Sequence, residues 1–341
     1  MVVIAGKSGG TKKLALFSNN VGLNIILAEF LFRSSLAACN CSCATSSPVS
    51  HSPPISHSLP APHSQCPSTF KWSLNGRVVA GSVSGSGSSL TQLMHPTGIF
   101  VDRNQNVYVV DESRVQLWLK QSKSGKTVAS RGLADLEDIL ADDKGNMFIA
   151  TVNFILYWKK GASSSSRTIS FMDRSIFRYM CFDGANNLYV TDSGQNQVLK
   201  YFAPGYVSKV IVGGDKNGIG GKGMNQLNGP VSVYVNEKYN LFVVDAGNRR
   251  IQKYAKNSKT GVTVAYNGLT DPKDIIVDCN GYVYVLDSDR AQRFKPGTDL
   301  SRGFTVFSKL DNPAAIALDE QGNFYISETS RGVVIKFNRE A

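Results

Sequence analysis

Six short apolar runs recur along the chain, and a polar turn precedes each of them. Each run is nearly continuous rather than alternating with polar residues, a pattern typical of strands that are buried on both faces. We therefore predict six strands, each inside a sheet that is covered on two sides. The runs are VYVV (107–110), MFIA (147–150), LYVT (188–191), LFVV (241–244), VYVL (283–286) and FYIS (324–327).

Polar and aromatic residues flank the six runs at fixed offsets. The Asp or Asn that stands five positions before the start of each run is called its anchor. An aromatic residue stands six positions after each anchor, and an acid or Thr151 stands nine positions after it. The anchor side chain can bond nearby backbone N–H groups and so begin a tight turn. In five units an Asn follows four positions after the anchor, and we expect it to adopt the left-handed conformation of that turn. The anchors are Asp102, Asp142, Asp183, Asn236, Asp278 and Asp319.

The spacing of the units predicts a ring of sheets. A third and a fourth strand follow each run, except that the last unit ends at Phe337 without a fourth strand. The segment 77–81, RVVAG, supplies a matching strand at the other end of the repeats. We predict an all-β, six-bladed β-propeller of four-stranded antiparallel blades over 70–341, closed by this N-terminal strand pairing with the last blade.

The repeats resemble those of the NHL family. The resemblance rests on VVAG (78–81), VYVVD (107–111) and above all DAGNRRIQKY (245–254), and it covers residues 77–337. It implies a non-catalytic scaffold that binds a protein or a glycan. One alternative is an RNA-binding module like the NHL domains of TRIM-type ubiquitin ligases, and another is a calcium-dependent, lactonase-like hydrolase.

Catalytic motifs are sparse in the repeats, and we predict that the chain is not an enzyme and carries no cofactor. Zinc needs three or four ligands, whereas His95 is the only histidine in the propeller. Lactonase-like propellers hold calcium over the central channel, and calcium takes six to eight oxygen ligands. We predict a ligand-binding, hydrated polar rim at the channel mouth, without metal, formed by Glu137, Asp138, Arg178, Lys273 and Asp274.

The net charge of +11 permits a nucleic-acid partner without requiring one. RNA binding would need basic and aromatic residues together on one face. The candidate basic patch comprises Arg249, Arg250, Lys253, Lys256 and Lys259.

The N-terminal region differs in composition from the repeats. Residues 1–38 combine lysines, an apolar stretch and small residues, which indicates a cleaved secretory signal, with a signal anchor or an unreliable gene start as alternatives. Residues 39–69 are rich in Ser, Pro and His and predict a disordered linker. We therefore expect a secreted or cell-surface protein without a transmembrane span in the mature chain, with a cytoplasmic location as the alternative.

Overall fold

The computed structural model describes residues 5–8, 11–14, 71–171, 174–297 and 303–340. The two short N-terminal strands, β1 (Ala5–Ser8) and β2 (Thr11–Leu14), pair antiparallel as a two-stranded sheet. The rest of the predicted signal segment and the whole predicted linker, 39–69, lie outside the described residues. Within the described part of the chain, no helix is long and apolar enough to span a membrane.

Six four-stranded antiparallel sheets follow one another along the chain, which confirms the predicted propeller. A single 3-10 turn, Ala246–Asn248, interrupts the strands of the described propeller. Blades one to three comprise β4 (Pro96–Val101), β5 (Val107–Asp111), β6 (Arg114–Trp118), β7 (Lys126–Ala129), β8 (Leu136–Ala141), β9 (Met147–Thr151), β10 (Phe154–Trp158), β11 (Arg167–Phe171), β12 (Phe177–Phe182), β13 (Leu188–Asp192), β14 (Gln197–Tyr201) and β15 (Lys209–Gly213). Blades four to six comprise β16 (Pro230–Val235), β17 (Leu241–Asp245), β18 (Arg250–Tyr254), β19 (Gly261–Ala265), β20 (Pro272–Val277), β21 (Val283–Asp287), β22 (Arg290–Phe294), β23 (Phe304–Phe307), β24 (Pro313–Leu318), β25 (Phe324–Glu328), β26 (Val333–Phe337) and, completing the sixth blade, β3 (Arg77–Gly81).

The ring closes as predicted, through the strand that precedes the first blade. Strand β3 pairs antiparallel with β26, and Ala80 lies opposite Val334. Trp72, which the sequence did not single out, extends this closure. Its ring lies 4.5 Å from the Phe324 ring centroid, and its Nε1 donates to the Gly322 carbonyl at 2.7 Å. The closing segment is therefore fixed by packing as well as by strand pairing.

The second strand of every blade is buried along its whole length, which confirms the prediction from the continuous apolar runs. The repeated aromatic of these strands is at most 7% exposed in every blade. Each such ring contributes about 2 kcal/mol of transfer free energy when it leaves water. Neighbouring blades therefore supply each other's core.

The anchor turns form in all six blades, but one detail of the prediction is wrong. In blade one, Asp102 Oδ1 accepts from the backbone N–H groups of Asn104 and Asn106, and the other anchors repeat this contact. The left-handed residue is the third after the anchor, such as Gln105 with φ 62°, rather than the Asn at the fourth position. That Asn has another role, since its Nδ2 donates to the anchor carboxylate, at 2.9 Å in blade one.

A second repeated acid fixes the start of the innermost strand. In blade five, Asp287 Oδ1 accepts from the N–H groups of Thr270 and Asp271, while Arg290 pairs with Asp287 Oδ2 at 3.0 Å. Blades one, four and six repeat this arrangement with Asp111–Arg114, Asp245–Arg250 and Glu328–Arg331. We call this pair of an acid and an arginine the clasp. It holds the start of the innermost strand against the end of the second strand.

We expect Trp72→Ala to lower the free energy of unfolding by about 3–5 kcal/mol, because it removes a buried indole from the closing segment. Leu74→Ala is the matched control, since Leu74 lies two residues away and is 76% exposed. Urea unfolding of both variants measures the difference. A cost for Trp72→Ala as small as that for Leu74→Ala would contradict the proposed role of Trp72.

Candidate functional site

The innermost strand of each blade has one edge without a partner strand, and these edges surround the central channel. The third residue of each innermost strand occupies an equivalent position near the start of that edge. Two of these six residues are acids, and they belong to blades two and five. The set is Gly98, Asp138, Tyr179, Ser232, Asp274 and Ala315.

Asp138 connects blade two to blade three. Its Oδ2 accepts from the backbone N–H of Met180 at 2.8 Å, and the residue is only 4% exposed. Gly98 makes room for it, because a Cβ at Gly98 would lie 2.7 Å from the Asp138 Cα. Burial raises the pKa of Asp138 well above its usual range, and the charge of Asp274 acts in the same direction. Burial therefore favours the protonated, neutral form of Asp138.

Asp274 makes the equivalent connection between blades five and six. Its Oδ2 accepts from the Ile316 N–H at 2.7 Å, and its Oδ1 accepts from the Ser232 hydroxyl at 2.5 Å. Burial raises the pKa of Asp274 to about 7, although the bonds from Ser232 and from backbone N–H groups oppose the shift. Asp274 can therefore gain or lose a proton near neutral pH.

Both carboxyl groups line one cavity of about 80 Å³ in the channel, together with Tyr179 and Ser232. Its remaining walls are largely apolar, with Leu140 and Leu318 among them. A water molecule needs on the order of 10–15 Å³ of such space, so the cavity admits a few waters or one small functional group. The site combines two acids with little bulk solvent.

Tyr179 spans the channel from blade three. Its hydroxyl lies 2.8 Å from the Ala314 carbonyl in blade six and 3.3 Å from the Thr97 carbonyl in blade one. Burial raises the pKa of Tyr179, and the nearby charges of Asp274 and Asp138 raise it further. The phenol therefore stays neutral and acts as a hydrogen-bond donor.

The structure separates the five predicted rim residues into three groups. Asp138 and Asp274 lie in the cavity, whereas Glu137 and Arg178 form an ion pair of 2.6 Å beside it. Lys273 Nζ donates a hydrogen bond to the Asn312 Oδ1 of the neighbouring blade at 2.9 Å. Sequence reasoning missed Tyr179 and Ser232, although both occupy the same third position of the innermost strand as the two acids.

The calcium site that the lactonase-like alternative implies does not fit these residues. Calcium takes six to eight oxygen ligands, whereas the cavity offers two carboxyl groups that already accept backbone N–H groups. No cluster of three or more His, Cys, Asp or Glu residues suited to a metal occurs in the described ranges. Glu137 is engaged by Arg178 and does not complete such a set.

The residues of the candidate basic patch have separate partners. Arg250 belongs to the clasp of blade four, and Lys259 Nζ donates to the Ile211 carbonyl at 3.0 Å. Lys253 and Lys256 lie over the rings of Phe242 and Tyr239. Arg249 is held in the left-handed conformation with φ 52°. An RNA-binding role for this group stays a prediction.

Comparisons with known proteins find similarity in structure alone. No protein-family model matches the chain. No curated protein matches it in sequence either. A luciferin-regenerating enzyme is similar in structure at 15% identity and a TM-score of 0.58, over 77% of this chain and 95% of that chain.

Two further similar structures match over nearly the same share of this chain. A candidate gluconolactonase matches at 11% identity and a TM-score of 0.59, over 78% of this chain and 98% of that chain. A virginiamycin B lyase from Staphylococcus aureus matches at 12% identity and a TM-score of 0.55, over 79% of this chain and 99% of that chain. At these identities the likeness establishes the fold.

The prediction that the chain is not an enzyme is contradicted by these comparisons, because the similar propellers are described as enzymes. That prediction relied on the scarcity of nucleophile motifs and metal ligands. It did not weigh acid–base chemistry by buried carboxyl groups, which depends on burial that a sequence does not display.

We expect the pKa of Asp274 to make the protein less stable as pH rises from about 4 to about 7. In that window the folded state keeps a proton that the unfolded chain, with an Asp pKa near 3.8, has released. The difference contributes on the order of 4 kcal/mol at low pH, and this contribution is lost as pH passes 7.

Urea unfolding between pH 4 and pH 8 tests this expectation. Asp274→Asn is expected to remove part of the pH dependence, whereas the exposed Asp289→Asn is expected to leave it unchanged. Equal pH dependence in the parent and in Asp274→Asn would show that Asp274 titrates normally.

Proposed function

We propose that this chain is a hydrolase that opens a cyclic ester at the channel cavity. The observation that carries the proposal is the buried Asp274, whose pKa is about 7, in one cavity with Asp138, whose pKa burial also raises. Two acids with different pKa values in one site supply a base and an acid at the same pH. The similarity to a candidate gluconolactonase supports this reaction class.

Each group has a defined role in the proposed reaction. Ionised Asp274 takes a proton from water as the water oxygen attacks the ester carbonyl carbon. Asp138 donates its proton to the ring oxygen as the carbon–oxygen bond breaks, which yields an acid and an alcohol. The acid product loses its proton to solvent, and transfer of the proton from Asp274 to Asp138 through water restores the starting state.

The cavity also limits the substrate. A volume of about 80 Å³ with apolar walls accepts the reacting ester group of a small, uncharged molecule. A charged ester would be desolvated beside the Asp274 carboxylate at a considerable cost. We therefore infer an uncharged lactone, with Glu137, Arg178 and Lys273 contacting the part of the molecule that stays at the rim.

We also infer that the repeats are of the NHL type. The Asp–Arg clasp of blade four, within DAGNRRIQKY, supports this assignment. Blades one and five repeat it, and blade six has a Glu–Arg pair in its place. A protein or glycan partner is a prediction that no observation on the described residues tests.

We infer an exported protein. Cys279 is disulfide-bonded, and disulfides persist mainly in secreted and surface proteins.

We expect hydrolysis of uncharged γ- and δ-lactones, with a rate that rises with pH to a plateau above about 7 as Asp274 ionises. Asp274→Asn is expected to lower kcat at least a hundredfold, and the exposed Asp289→Asn serves as its control. Ser232→Ala should move the rising limb to higher pH, because the hydroxyl no longer stabilises the carboxylate. A pH-stat assay measures all three. Full activity of Asp274→Asn, or no turnover of any lactone by the parent, would refute the proposal.

We expect chelation with EDTA to leave lactone hydrolysis unchanged, because the described cavity lacks a donor set for calcium. The assay compares rates before and after dialysis against EDTA. Loss of activity that calcium restores would show that a metal takes part after all.

A further inference from the structure

In two blades the third strand carries a lysine that is paired with the anchor of its own blade. Lys200 Nζ lies 3.0 Å from the Asp183 carboxylate in blade three, and Lys336 Nζ lies 3.3 Å from the Asp319 carboxylate in blade six. Lys253 occupies the same position in blade four, but the anchor there is the neutral Asn236. Within the described ranges, Lys253 has no carboxylate within 4 Å, and its ammonium lies over the Phe242 ring.

The substitution of the anchor also changes its hydrogen bonding. Asn236 Oδ1 accepts from the N–H groups of Lys238 and Asn240, as the Oδ1 of each Asp anchor does. The amide Nδ2 therefore replaces the Oδ2 that accepts from Lys200 or Lys336 in the other blades. Blade four therefore has an N–H donor at the position where the lysine of blades three and six finds a carboxylate acceptor.

Asn240 adds a third donor to this position. In blades one, two, three and six, the equivalent Asn Nδ2 donates to the anchor Oδ2 at 2.8–2.9 Å. In blade four the side chains of Asn240 and Asn236 donate no hydrogen bond to any other described residue. Blade four thus brings together Lys253 Nζ, Asn236 Nδ2 and Asn240 Nδ2 without the carboxylate that joins them elsewhere.

These three residues line a cavity of about 230 Å³ between the anchor turns of blades four and five. Lys238 and Lys295 also line it, as do the acids Glu237 and Asp278. Asp278 is already engaged, because its carboxylate accepts from the N–H groups of Asn280 and Tyr282 and from the Tyr284 hydroxyl. Three ammonium groups against two carboxylates leave the cavity with a net positive charge.

We propose that this cavity, the blade-four pocket, binds a small oxyanion of the phosphate or carboxylate type. The bound oxygen replaces the missing anchor carboxylate and accepts from Lys253, Asn236 and Asn240, and such charge-assisted bonds are strong. The blade-four pocket begins beyond the C-terminal end of β16, whereas Asp138 and Asp274 lie near the start of their strands. The two cavities share Tyr234, but the proposed anion contacts use none of the residues that we assign to hydrolysis.

Isothermal titration of the full-length chain with inorganic phosphate, and separately with acetate, tests the proposal at constant ionic strength set with NaCl. The parent is expected to bind at least one of the two anions. Asn236→Asp is expected to weaken binding at least tenfold, because it restores the carboxylate that pairs with the lysine in blades three and six. The same variant should raise the Tm in the absence of anion.

Lys253→Met is the second variant and should also weaken binding at least tenfold, whereas the exposed Lys123→Met is the charge-matched control and should bind as the parent does. Absence of binding of both anions to the parent would overturn the proposal. Equal affinity of the parent, Asn236→Asp and Lys253→Met would also overturn it, because general attraction to a basic protein would then explain the result.

Discussion

Burial of both faces of every blade is the constraint on which this structure depends. The middle strands are enclosed along their whole length, so one blade alone would expose two apolar faces to water. A ring is the arrangement in which each face meets another and no open edge is left at the join. The closing strand β3 and the Trp72 indole complete that ring.

Closing the ring also creates the site. Six innermost strands meet around an axis, and each leaves backbone N–H groups without a partner strand. Asp138 and Asp274 accept two of these groups, those of Met180 and Ile316, and so join blade to blade. The same position removes the carboxyl groups from bulk water, which raises their pKa values. One contact therefore supports the architecture and provides the acid–base chemistry that we propose.

The architecture could be predicted because the same pattern of apolar runs and polar anchors recurs six times. The blade number, the closing strand and the placement of Asp138 and Asp274 near the channel all follow from register. Tyr179 and Ser232 were missed because their types differ from blade to blade, although their positions do not. Trp72 precedes the repeats and has no counterpart to reveal it. The non-catalytic prediction failed because the pKa of an Asp depends on burial, which residue type does not encode.

A direct titration of Asp274 tests the central claim that ring closure places an acid with a near-neutral pKa in the channel. Carboxyl carbon NMR of the protein labelled at aspartate would follow the Asp274 signal, assigned with Asp274→Asn, from pH 3 to pH 9. The account predicts a midpoint near 7. A midpoint near 4 would show a solvated carboxylate and contradict the account.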